Sequence, residues 1–213
     1  MARFVSVGGD CQAGLRVSAM NPGGVHHFFD WLAISIQSTI RLIESDFRDF
    51  LTWENLHPIY NGEILAGVID TQLRVEFAHD FSGFTREECD SARARYELRA
   101  RWFRELFEED EPAPYFVRRW HPRDGADDEA SAIRLFKLLR AKRRDISFLY
   151  LHKDPTRGEL VSGAYRSAYL PPPTSEDWMG NEDAWNYMLK DFAVRPLADV
   201  QAPIMKLNMP RFA

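Results

Sequence analysis

A chain of 213 residues with 45% apolar and 13% aromatic side chains can fill one sizeable core, and it is not the composition of a disordered segment, which lacks the groups to offset conformational entropy. A formal net charge of -5 and an isoelectric point near 5.7 give no broad attraction to phosphate backbones, so no nucleic-acid partner is expected. The apolar stretch at the start is too short for a secretory signal and no apolar run approaches a bilayer span, so no membrane association and a cytoplasmic location are expected.

Arg3 to Val7 reads as a short buried strand, closed by Gly8-Gly9-Asp10 and followed by a helix that starts at Cys11. Asn21-Pro22-Gly23-Gly24 breaks that helix. A second helix is predicted from Trp31, because Ile36, Ile40, Ile43, Phe47 and Phe50 recur every three or four residues between Leu32 and Leu51. Thr52 to Phe81 holds Pro58, Asn61-Gly62 and Gly67 between short apolar runs and reads as two or three short strands. In the last of them Leu73, Val75 and Phe77 alternate with polar residues, and it ends at Ala78-His79-Asp80.

Thr85-Arg86-Glu87-Glu88 matches a capping box. The long helix behind it carries an apolar stripe of Cys89, Ala92, Tyr96, Ala100, Phe103 and Phe107, with the arginines from Arg93 to Arg104 on its solvated faces. Tyr115 to Val117 reads as a strand, Asp127 to Arg144 as a helix with a basic end, Ile146 to Leu151 as a strand, and Glu182 to Phe192 as a last helix after Pro171-Pro172-Pro173. The expected fold is a single α/β domain over residues 1–213. It has a mainly parallel central sheet flanked by helices on both faces, with a tail at 196–213 packing over the surface.

In such folds ligands gather beyond the carboxyl ends of the strands, which singles out Cys11. In a first helical turn, free amides and the helix dipole would lower its pKa, and the amide of Gln12 could hold an oxyanion. The competing reading makes Cys11 a small hydrophobe under a tight turn; Cys89, on an apolar stripe, reads as core. A cysteine nucleophile needs an imidazole base. His79 is best placed, at a strand end with Asp80 next to it, although it could equally cap that strand; His121 and His152 hold equivalent but weaker positions, and His26 reads as solvated. Asp30 could orient a histidine or, more simply, cap the helix predicted at Trp31. Scattered histidines without paired spacing give no metal site, the Gly8-Gly9 turn lacks the spacing of a phosphate loop, and no cofactor is expected.

Four short blocks occur in order: Val5-Ser6-Val7-Gly8-Gly9-Asp10-Cys11-Gln12, Phe29-Asp30-Trp31-Leu32, Asp46-Phe47-Arg48-Asp49-Phe50-Leu51 and Phe77-Ala78-His79-Asp80-Phe81. Together they resemble a bacterial family named as papain-like cysteine peptidases. The resemblance implies a cysteine nucleophile at Cys11, a histidine base at His79, and Asp80 or Asp30 as orienter; Asp10, Gln12, Asp30 and Trp31 are expected around the substrate or oxyanion. The usual papain pattern is not met, since no Gln stands a few residues before the Cys and no Asn-Ser-Trp follows a late His. Gly9-Asp10-Cys11 also looks like the Gly-Asp-Ser block of SGNH esterases with Cys for Ser, but Asp177-Trp178-Met179-Gly180 lacks that group's histidine. The leading expectation is a cysteine-dependent hydrolase or acyltransferase acting on a peptide or small-molecule substrate. The alternative is a non-catalytic binding or accessory protein of a biosynthetic cluster. Oligomeric state is left open.

Overall fold

The chain starts with a four-residue strand, β1 (Arg3–Ser6), and turns through Gly8 and Gly9 into α1 (Cys11–Met20). β2 (Leu32–Ile34), α2 (Ile36–Glu44), β3 (Leu56–Asn61), β4 (Ile64–Asp70) and β5 (Val75–Phe77) follow, then the long α3 (Arg86–Glu105). The remainder comprises β6 (Pro114–Arg119), α4 (Asp128–Lys142), β7 (Ser147–His152), β8 (Leu160–Ser162), β9 (Tyr165–Tyr169) and α5 (Glu182–Val194). This computed structural model describes residues 3–21, 23–24, 26–108, 110, 112–125, 128–173 and 179–194; the tail 196–213 lies outside them.

The expected parallel sheet is present, in the order β1-β6-β7-β9-β8, with β1, β6, β7 and β9 mutually parallel and β8 antiparallel at the edge. Side chains alternate across it. Phe4, Val117, Leu149, Leu151 and Ala168 pack against α1 and α5 through Val17, Trp185, Met188 and Phe192. Val5, Phe116, Phe148 and Tyr150 face the other way, into a larger core with Ile40 of α2, Phe103 of α3 and Leu135 of α4. Both faces are thus covered by helices, as near-continuous apolar strands require.

The expectation of one central sheet is incomplete, because β2, β5, β4 and β3 form a second, antiparallel sheet in that order. Its cause lies where a helix was predicted from Trp31. Leu32 to Ile34 pair instead with Phe77 to Val75. α2 begins only after Ser35, whose hydroxyl accepts the Ser38 amide at 3.1 Å. Its far end is also earlier than predicted, since Asp46, Phe47, Asp49 and Leu51 have φ between 52° and 63°, a left-handed conformation no helix continues through. Asp30 accordingly does not cap a helix at Trp31.

A buried ion pair supports the turn after β1. Arg118 and Asp124 meet at 2.7 Å with both side chains fully buried. Arg118 also donates to the carbonyls of Val7 and Ile34, and Asp124 accepts the amides of Ile36 and His121. One charge network therefore ties the end of β1 to β2, to the start of α2 and to the end of β6.

Candidate active site

α1 opens at Cys11 because Asp10 caps it, its carboxylate accepting the Gln12 amide at 3.2 Å. Such a cap stabilises a helix start by about 1 kcal/mol. The other carboxylate oxygen of Asp10 is ion-paired with Arg119 at the end of β6. The turn itself needs glycine at position 9, where φ is 118° and a Cβ would lie 2.5 Å from the Arg119 carbonyl oxygen. Gln12 is buried, with its side chain against Gly180 ahead of α5.

Cys11 is half-buried. Burial, and next the Asp10 charge, push its thiol above the ordinary cysteine range, outweighing the Cys11 and Gln12 amides and Arg119. This reverses the sign expected from a helix start alone. The Gln12 amide, expected as an oxyanion donor, is already bonded to Asp10.

The residues expected opposite Cys11 gather around Trp31. Its indole meets the ring of His79 edge-on at 5.9 Å and that of His26 at 5.4 Å. His79 is exposed. The Asp80 carboxylate, expected as its orienter, accepts the Tyr96 hydroxyl at 2.8 Å and faces Arg99 at 3.6 Å. Asp30 is 1% exposed, and one of its oxygens accepts the His27 amide at 2.8 Å. The same oxygen lies 3.8 Å from Nδ1 of His26, while Oδ1 has no hydrogen-bond partner among the described residues. Hydrogen bonding to Asp30 raises the His26 pKa, and burial raises that of Asp30. Sequence reading passed over His26 as solvated; the i, i+4 spacing to Asp30 was the available signal.

Two backbone approaches connect the clusters. Gly14 of α1 is packed so tightly on Asp30 that a Cβ there would collide with the Asp30 carbonyl. The Ile34 amide donates to the Gly9 carbonyl at 3.1 Å, so β2 has the turn before Cys11 on one edge and β5, which leads to His79, on the other. No hydrogen bond, ion pair or ring contact joins Cys11 to a histidine among the described residues. A cavity of about 570 Å³ lies elsewhere, between α3 and the loop through Phe47 and Phe50.

Residues 2–151 match the family model described as "Putative papain-like cysteine peptidase (DUF1796)". The chain belongs to this family. The match runs from β1 through β7, and so includes Cys11, the Trp31 cluster and both sheets' contacts with the α1 turn. No curated protein and no solved structure matches the chain. Among the described residues, no helix is long and apolar enough to cross a membrane.

Proposed function

We propose that this papain-like family member is a cysteine-dependent hydrolase or acyltransferase of peptide or related acyl bonds, with Cys11 as nucleophile and His79 as base. The observation that carries the reading is β2, which lies between the α1 turn and β5. Two strand spacings amount to about 10 Å of backbone separation, a gap that extended cysteine and histidine side chains can cross.

Because burial holds the Cys11 proton on sulfur, the base removes it as attack proceeds. Sγ adds to the acyl carbon, the thiol proton passes to the His79 imidazole, and the leaving group departs with that proton. Water then releases the acyl group. Trp31, touching the His79 ring, takes the orienting part expected of Asp80. Asp10, joined to Arg119, holds the turn that presents Cys11.

A second reading gives the base to His26, favoured by its pairing with the buried Asp30 carboxylate. The test is acylation by p-nitrophenyl acetate, followed as a burst of one nitrophenolate per chain. Cys11→Ala abolishes it, and His79→Ala slows it by about 10²- to 10⁴-fold while His26→Ala leaves it within threefold. A dominant loss in His26→Ala selects the second reading. A burst that survives Cys11→Ala ends both readings, and a wild-type chain that gives no burst favours a non-catalytic binding protein.

A further inference from the structure

Resting on Cys11 as nucleophile, we infer that His121 is a further catalytic residue, whose Nε2–H donates to the oxyanion formed when Cys11 attacks an acyl carbon. The need is structural: the Gln12 amide is bonded to the Asp10 carboxylate, so the helix start supplies one fewer donor than its sequence promised.

His121 sits where a replacement is required. β1 and β6 are parallel neighbours with Ser6 opposite Val117, and three residues further on Gly9 touches Arg119. Two residues beyond that contact stand Cys11, at the start of α1, and His121, past the end of β6. Backbone alternation continues through His121, with φ of -129° and ψ of 146°, and the Trp120 amide still donates to Leu151 of β7 at 2.8 Å. His121 therefore shares the face of Arg119, whose guanidinium reaches Asp10, the residue before Cys11.

The tautomer follows from one hydrogen bond. His121 Nδ1 accepts the Arg123 amide at 3.2 Å, closing the short turn Pro122–Asp124. A neutral imidazole whose Nδ1 accepts must carry its proton on Nε2. Burial first, then Arg118, Arg123 and Arg119, lower its pKa to about 4, so at neutral pH it is a donor and not a competing cation. When Sγ adds to the acyl carbon, the carbonyl π pair moves to oxygen, where Nε2–H stabilises it. Collapse of that adduct re-forms the carbonyl and expels the leaving group, and the thiol proton has gone to the base; Nε2 keeps its own proton throughout.

The experiment compares two reactions of the same sulfur. Alkylation by iodoacetamide forms no oxyanion, whereas acylation by p-nitrophenyl acetate does. His121→Ala is expected to slow acylation by about 10²-fold with alkylation of Cys11 within twofold, and His121→Gln, which keeps an N–H donor, to recover part of the loss. Acylation unchanged in His121→Ala, or both reactions slowed equally with no recovery in His121→Gln, overturns the inference. If the wild-type chain alkylates at Cys11 but gives no acylation burst, the hydrolase reading has failed first and the inference with it.

Discussion

The two cysteines occupy opposite kinds of surroundings. Cys89 is fully buried on α3, in the same core cluster as Ala92, Tyr96 and Phe50, and among the described residues its thiol donates to the Leu51 carbonyl at 3.5 Å. Cys11 is half-buried at a turn held by Asp10, Arg119 and the Arg118–Asp124 pair. Burial raises both thiols, so acidity does not separate them. What separates them is access and polar neighbours: the Cys11 region is organised by charge, the Cys89 region by volume.

That contrast predicts different sensitivities. Arg118→Met strands the buried Asp124 carboxylate and is expected to cost about 3–5 kcal/mol in urea denaturation. Pairing it with Asp124→Leu recovers much of the loss, and an equally large loss in the double variant contradicts a charge-organised region. The second expectation concerns pH. Burial first, then Arg3 and His26, lower His27 to about 4, whereas the unfolded chain binds that proton near 6.5. The unfolded state thus gains the proton first as pH falls, and stability present above pH 6.5 declines towards pH 4 by about 3 kcal/mol. His27→Gln flattens that slope in a pH series of urea midpoints.

Gly14→Ala gives a sign test. A glycine-to-alanine change inside a helix normally stabilises by about 1 kcal/mol, but the Asp30 carbonyl occupies the Cβ position. A net loss of about 1–3 kcal/mol is expected, and a gain in melting temperature would show that α1 and the Asp30 turn are not in contact. The smallest effect falls on the other cysteine: Cys89→Ala deletes one buried atom, costs about 1 kcal/mol and leaves iodoacetamide labelling of Cys11 unchanged.

Much of the architecture was legible where local signals agreed with burial. The turn from β1 into α1, the Thr85 cap, whose hydroxyl accepts the Glu88 amide, and the stripe Cys89-Ala92-Tyr96-Ala100-Phe103 all follow from residue type and period. Only half of the capping box forms, since the Glu88 carboxylate accepts the Ser82 hydroxyl. β2 was misread because Trp31-Leu32-Ala33-Ile34 is too short for its period to distinguish strand from helix; pairing with β5 decided it. β9 was missed because its sequence, Tyr-Arg-Ser-Ala-Tyr, does not read as a core strand. Arg166 is nevertheless buried there by ion pairs with Glu159 and Asp191. Of the candidate site, Cys11, Asp30, Trp31 and His79 were named from sequence. The engagement of Asp80 by Tyr96 and Arg99 was not, because it depends on α3 crossing beneath β5's end.

The second sheet comes entirely from one uninterrupted stretch, Leu32 to Phe77, set between α1 and α3. Deleting it on paper removes α2 as well and leaves every strand of the first sheet in the chain. Its outer hairpin, Asn61 to Ile64, turns at Gly62 and carries Tyr60 and Ile64 at 55% and 74% exposure. Lengthening such a hairpin costs entropy that grows only slowly with added residues. The tip of this single excursion can therefore vary in length while β1 and the turn carrying the sulfur are left alone.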